Sequence, residues 1–288
     1  MASAPALTRE AIERGYNNRA AFPDHQRWLD QWAARSENAR ESLRPSIDIR
    51  YGSGPKETLD LYVPVSPPRG TLMFIHGGWW RTLDKADHAF VAPVFVAAGL
   101  AVAVINYDLC PDVTIATIIE QCRHAVLWLM RDGPSRGAPM PLVIGGHSAG
   151  GHLAAMMYST NWRGRGLSQT PFAGGISLSG VHDLEPLVQF SHNVDFRLDE
   201  AEARRLSPVD HHPLTDAPLL LAVGADETSE FLRQTDLLWD AWPQNRPPGA
   251  TAPMRIANRH HYGVVLDYAD PASALTQATL ALFPRGAS

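Results

Sequence analysis

The run Pro141–His152, PLVIGGHSAGGH, constrains this chain more than any other stretch. An apolar segment reaches Gly146-His147-Ser148-Ala149-Gly150 and passes at once into a small-residue helix through Leu153–Met156. Gly-x-Ser-x-Gly between a strand and a helix is the pattern of a sharp turn that holds one serine at its strained tip. The two glycines are required because a Cβ at either place would clash with the neighbouring chain in so tight a turn. On its own the pentapeptide is also compatible with an idle serine in a glycine-rich turn, so the rest of the chain has to supply the chemistry around it.

The alternation of elements on both sides of this turn sets the fold class. Ser46–Tyr51 and Thr58–Val63 alternate polar and apolar residues, as half-buried strands do, and the turn Gly52–Lys56 between them makes an antiparallel edge hairpin. After the loop around Pro64–Gly70 the strands become short apolar runs: Thr71–Ile75, Leu100–Ile105, Leu142–Ile144, Phe172–Leu178, Leu219–Val223 and Met254–Ala257. Between and after them lie helical patterns at Asp87–Ala98, Val113–Arg131, Gly150–Ser159, Ser229–Trp242 and Pro271–Leu282. Apolar strands alternating with helices indicate an α/β architecture, a mostly parallel sheet covered on both faces. Residues 1–45 read as a helical N-terminal arm, broken at Pro23 with Asp24 as the next N-cap, and with Trp28 and Trp32 one turn apart to pack it onto the body. Residues 181–217, rich in proline and histidine, break the alternation and read as a small cap-like insertion over the carboxyl ends of the strands. The whole, residues 1–288, is expected to be one domain.

Charge and composition exclude several function classes. A formal net charge of -5, with no basic run interleaved with aromatics, speaks against nucleic acid or an anionic membrane as partner. The longest apolar run, Phe90–Ile105, is interrupted by Pro93 and Gly99 and is too short to span a bilayer. The N-terminus lacks a charged segment followed by an apolar one, and the two cysteines, Cys110 and Cys122, suit reduced thiols, so a cytoplasmic protein is expected. There is no His-Glu-x-x-His and no Cys/His ligand spacing, so neither a metal nor another cofactor is expected. The partners expected are a small-molecule substrate and water, with a homodimer through the arm as the one assembly considered.

The serine's partners follow from chain order. With a strand-turn-helix serine in such a sheet, an acid follows the next-to-last strand and a histidine the last. Asp226 comes first after Leu219–Val223 and is the preferred acid, with the adjacent Glu227 as its alternative. His260 and His261 both follow Met254–Ala257, and His261 is preferred. Two oxyanion donors are expected: the backbone N–H of Ala149 after the serine, and that of Gly77 or Gly78 in His76-Gly77-Gly78 after the strand Thr71–Ile75. Trp79, Trp80, Phe190 and Phe196 are candidate linings of an aromatic pocket.

These motifs together resemble the kynurenine formamidase-like branch of the α/β hydrolases. HGGWW (76–80) fits that branch's H-G-G-x-W, whereas the hormone-sensitive-lipase-like esterases carry a third glycine where this chain has Trp79. The likeness continues through Leu59–Tyr62, GHSAGGH, Ser179–Leu184, Gly224–Glu227 with Gln234, and His261 followed by Tyr262. It implies the α/β-hydrolase fold, a triad of Ser148, Asp226 and His261, oxyanion donors at Gly77, Gly78 and Ala149, and Trp80 beside the site. The activity implied is hydrolysis of N-formyl-L-kynurenine or of small amides and esters. A broad short-chain carboxylesterase would use the same residues. A non-catalytic binding protein on this fold would be expected to have lost one of them, and every required residue type is present.

Overall fold

The computed structural model describes residues 8–168 and 170–284. The arm forms α1 (Arg9–Tyr16), the single turn α2 (Asn18–Ala21) and α3 (His25–Leu43). Asn17 ends the first and caps the second, its side chain accepting from the N–H of Ala20 at 3.1 Å. Asp24 precedes α3 as expected but does not cap it with its side chain; Asp24 Oδ2 accepts instead from Trp28 Nε1 at 3.0 Å.

β1 (Ser46–Arg50) and β2 (Thr58–Tyr62) form the antiparallel hairpin at one edge. β3 (Thr71–Ile75), β4 (Ala101–Ile105), β5 (Leu142–His147), β6 (Phe172–Leu178), β7 (Leu219–Gly224) and β8 (Met254–Ile256) complete one eight-stranded sheet in the order β1-β2-β4-β3-β5-β6-β7-β8. β2 runs antiparallel to β4, and from β4 to β8 every pairing is parallel. Helices cover both faces: α4 (Ala92–Ala97), α5 (Ile115–Arg131), α6 (Ala149–Tyr158), α9 (Ser229–Ala241) and α10 (Ala274–Leu280), with α7 (Asn193–Phe196) and α8 (Glu200–Arg205) in the insertion. This is the α/β-hydrolase architecture. None of the described helices is long and apolar enough to cross a membrane.

The strand alternation divides the core in two. Met73, Ile75, Ala103 and Ile144 face one way, toward α5, α6 and α9, while Leu72, Phe74, Val104 and Val143 face the other. β3, β4 and β5 are buried along their whole length, which is why they read as unbroken apolar runs. One helix boundary differs from expectation. Asp87–Ala98 is not a single helix but a 3-10 stretch, Lys85–Val91, leading into α4. Asp84 and Asp87 form a reciprocal capping box at its start, and Pro93 falls in the first turn of α4, where its missing N–H costs nothing.

Parallel strands share a direction, so the carboxyl ends of β3, β5, β7 and β8 open on one edge of the sheet. The loops that leave those four strands carry His76–Trp80, Ser148, Glu227 and His261.

Candidate active site

Ser148 caps α6 with φ 57° and ψ -120°, a backbone conformation that non-glycine residues rarely adopt. The tightness of the turn explains both glycines. A Cβ on Gly146 would lie 2.1 Å from the Gly150 carbonyl oxygen, and one on Gly150 would lie 2.0 Å from the Ile75 carbonyl oxygen of β3. The Ser148 N–H donates to the Leu178 carbonyl at 2.8 Å, fixing the turn to β6.

His261 Nε2 lies 3.0 Å from Ser148 Oγ, and His261 Nδ1 lies 2.7 Å from Glu227 Oε2. The acid that meets the histidine is therefore Glu227, and the expectation for Asp226 is corrected. The turn after β7 curls back, with the Glu227 N–H on the Gly224 carbonyl at 3.3 Å. This directs the Glu227 side chain inward and leaves Asp226 exposed, its N–H spent on the Arg259 carbonyl at 3.0 Å. The two loops meet so closely that a Cβ on Gly224 would sit 2.1 Å from that same Arg259 oxygen. Glu227 is fully tied down: its Oε1 accepts from Ser179 Oγ at 2.5 Å and from the Gly224 N–H at 2.9 Å. His260 turns away from the serine, stacking on Phe22 at 4.6 Å and meeting Trp28 edge-on at 4.8 Å.

Two successive carbonyls of the histidine loop are also held. The His261 carbonyl faces His147 Nε2 at 3.0 Å, and the Tyr262 carbonyl accepts from Trp32 Nε1 of the arm at 3.1 Å. Burial, and then the neighbouring His261, hold His147 well below its ordinary pKa, so it is neutral and donates its one proton to that carbonyl.

The His76–Trp80 loop leaves β3 alongside the elbow. A Cβ on Gly77 would lie 2.8 Å from the His147 carbonyl oxygen and 3.0 Å from Ser148 Cβ, so only glycine brings this backbone up to the serine. Gly78 has φ +101° and turns the chain away, followed by Trp79 and Trp80 at φ 54° and 55°. The N–H groups of Gly77, Gly78 and Ala149 donate to no acceptor among the described residues. His76 anchors the loop from behind, its Nε2 3.0 Å from Asn106 Oδ1 and its ring stacked on Tyr107 at 4.2 Å. Burial lowers the His76 pKa to about 4, so the ring is neutral.

Ser148 and His261 open into a cavity of about 470 Å³. Of the four aromatic residues expected to line it, only Trp79 does. Trp80, Phe190 and Phe196 are buried behind it, with Phe190 5.2 Å and Phe196 6.2 Å from the Trp79 ring, so they brace the wall rather than form it. The wall that sequence reasoning missed comes from the arm: Asn17, Asn18, Arg19, Leu29 and Trp32 all border the cavity, and His192 of the insertion joins them. Trp32 thus both packs the arm and borders the cavity, whereas Trp28 only packs. Nothing local marks these residues, because the contact that brings the arm here spans 230 positions of chain. Among the described residues, no three His, Cys, Asp or Glu side chains gather as a metal-ligand group.

The family model described as BD-FAE matches residues 59–239, from within β2 into α9. Kynurenine formamidase of Salmo salar is 29% identical over 253 residues, 85% of this chain and 84% of that one. Kynurenine formamidase of Danio rerio is 30% identical over 213 residues, 72% of this chain and 71% of that one. Among solved structures, a Silicibacter sp. protein provisionally designated a thioesterase superposes with a TM-score of 0.81 at 31% identity, covering 93% of this chain and 99% of its own.

Proposed function

This chain belongs to the BD-FAE family and is a hydrolase homologous to the kynurenine formamidases, and from that premise we propose that it cleaves a small aryl formamide or related ester by a Ser148–His261–Glu227 mechanism. The observation that carries the reading is the continuous hydrogen-bonded line from Glu227 through His261 to Ser148, 2.7 and 3.0 Å, at the floor of the cavity.

The roles follow from the bonds. Glu227 Oε2 accepts the Nδ1 proton of His261, which leaves Nε2 unprotonated and facing the serine. Ser148 Oγ attacks the carbonyl carbon as its proton passes to Nε2, and the charge that develops on the imidazolium is stabilised by Glu227. The oxyanion is met by the N–H of Ala149, at the start of α6, and by the N–H groups of the Gly77–Gly78 loop. Losing one such donor typically costs roughly 2.7–4 kcal/mol of transition-state stabilisation. His261 then protonates the leaving amine or alcohol, whose departure leaves an acyl-Ser148 ester. Water attacks that ester with His261 as base, releasing the acid and restoring the serine.

The reading is supported by the relatives' names for the formamide and by the cavity for the size of substrate. The test is kcat/KM of the purified protein on N-formyl-L-kynurenine beside p-nitrophenyl acetate. A preference for the formamide is expected, with Ser148→Ala below 1% of wild type on both. Ester turnover alone would discard the formamide and keep the mechanism. Ser148→Ala retaining several per cent of activity would refute the serine's role.

A further inference from the structure

The turn that holds Ser148 also brings a second histidine up to the first. The rings of His147 and His261 lie 4.7 Å apart, inclined at 39°. Trp32 of the arm meets the His147 ring edge-on at 5.9 Å. His147 is only 2% exposed, and it borders the cavity together with Ser148 and His261. The mechanism so far uses only its Nε2, which donates to the His261 carbonyl at 3.0 Å.

That bond fixes what the other nitrogen can do. A carbonyl only accepts, so the single proton of the neutral ring is on Nε2 and Nδ1 carries a lone pair. Nδ1 has no hydrogen-bond partner among the described residues, and it is not sealed from solvent as both amide atoms of Asn18 are. In a residue so deeply buried, the opening it has is the cavity. A Cβ on Gly77 would lie 3.5 Å from His147 Nδ1 and 3.0 Å from Ser148 Cβ. Nδ1 thus sits where the oxyanion loop, the serine and the base converge. Other acceptors along the wall are engaged or shut off: Glu227 and Ser148 occupy both nitrogens of His261, Asn17 Oδ1 caps α2, and Asn18 Oδ1 is sealed. An unprotonated nitrogen beside the nucleophile, with nothing in the protein to accept from, points to a donor on the substrate.

The scissile bond supplies one. An amide nitrogen carries an N–H that an ester oxygen lacks. As the serine adds, that nitrogen becomes pyramidal and must aim its lone pair at His261 Nε2. Its N–H then points elsewhere, and without an acceptor it loses the hydrogen bond it had in water. We infer that His147 Nδ1 is a catalytic acceptor for the N–H of the leaving amine, and that it favours cleavage of formamides over esters. The accepted proton is not transferred. Ser148 Oγ bonds to the carbonyl carbon and passes its proton to His261 Nε2, which gives it to the nitrogen as the C–N bond breaks. The amine leaves neutral, its original N–H still donated to Nδ1. A contact that tightens only as the nitrogen becomes pyramidal raises kcat/KM, and an ester makes no use of it. This inference rests on the serine-hydrolase reading above.

The experiment compares formanilide with phenyl formate, which differ only in N–H against O at the scissile bond, in wild type and in two variants that separate the ring nitrogens. In His147→Asn the side-chain Oδ1 replaces Nδ1 as acceptor, and the donor to the His261 carbonyl is lost. In His147→Gln the side-chain Nε2 replaces the ring Nε2 as donor, and nothing accepts where Nδ1 stood. The kcat/KM ratio of formanilide to phenyl formate is expected to fall about five- to thirtyfold in His147→Gln, the size of one hydrogen bond left unmade. In His147→Asn it should stay within about twofold of wild type, even as both substrates slow together. A ratio that His147→Gln leaves unchanged, or that His147→Asn lowers equally, overturns the inference. Should neither variant fold, wild-type turnover of N-methylformanilide decides: without its N–H, kcat/KM should drop at least about tenfold below formanilide, and methylation without loss overturns the inference. Wild type inert on formanilide removes the formamide from the proposed function and this inference with it. Formanilide turnover with a ratio unmoved in His147→Gln overturns the inference alone.

Discussion

Replacing Glu227 by Gln tests the most specific statement made about this site, and the structure sets the size of the effect. Glu227 Oε1 takes two donors, Ser179 Oγ and the Gly224 N–H, so the Gln carbonyl oxygen belongs there. The amide nitrogen then falls where Oε2 stood, 2.7 Å from His261 Nδ1, and can only donate. His261 must answer with an unprotonated Nδ1, which puts its proton on Nε2, toward Ser148, and removes the base. Where an Asp in the same role becomes Asn, this tautomer reversal costs about 10⁴-fold in kcat, or about 5.4 kcal/mol. The alternative is a flipped amide that keeps the productive tautomer. Its nitrogen would face the Gly224 N–H, with the Ser179 hydroxyl free to rotate, and leaving that buried N–H without an acceptor costs about 2 kcal/mol. The flipped form would then be about one molecule in thirty, so the loss lies between about 30-fold and 10⁴-fold. The neighbouring Asp226→Asn, an exposed side chain with no role in the line, should change kcat/KM on p-nitrophenyl acetate less than twofold. Thermal melts of both variants check that the fold is kept. Glu227→Gln with more than a tenth of wild-type activity, or Asp226→Asn with less than a tenth, would refute the reasoning.

Other predictions follow from the same contacts. Trp32→Phe removes the donor on the Tyr262 carbonyl, and should lower stability by about 1–3 kcal/mol and kcat by between about three- and a hundredfold, with KM little changed; an unaltered kcat would separate the arm from catalysis. Burial lowers His76, His88 and His152 to about 4 and His182 to about 3, so the unfolded chain binds more protons than the folded one as pH falls below about 6.5. Stability is therefore complete above that pH and lost toward pH 4, each such site at full effect giving up about 2 kcal/mol by pH 5, so that Tm falls by at least about 4 °C relative to pH 7.5; a Tm that stays level across this range would contradict it. Burial pushes the Cys110 thiol up to about 12 and Cys122 higher still, so iodoacetamide at pH 8 should label neither in the native protein and both after unfolding.

What was legible in the sequence depended on how local the constraint is. The elbow was readable because Gly146, Ser148 and Gly150 lie within one turn and any Cβ there collides with backbone. The strands read cleanly because both faces of the parallel sheet are covered, which turns each into an apolar run. The acid was missed by one residue. Asp226 and Glu227 have the same chemistry, and which of them points inward depends on how the turn after β7 rests against the Arg259 carbonyl, a contact with a distant loop. Phe190 and Phe196 were recognisable as aromatic residues near the site, but lining and bracing differ only by a few ångströms of packing depth. The arm's share of the cavity left no trace in spacing or composition, because Asn18 and Arg19 gain their setting only when α2 meets loops from β3 and β8.

The bond from Trp32 to the Tyr262 carbonyl bears on how this molecule acquires activity. It joins positions 230 residues apart, beyond the span of the sheet itself, and closing so long a loop is entropically late in folding. The parallel strands and the elbow can form around a histidine loop whose second carbonyl is still untied, while the core is completed only when Ile12, Tyr16, Trp32 and Ala39 of the arm join it. In a refolding experiment, secondary structure would return first, and the last part of core burial and turnover together, so the appearance of activity would time the docking of the first helices onto the sheet.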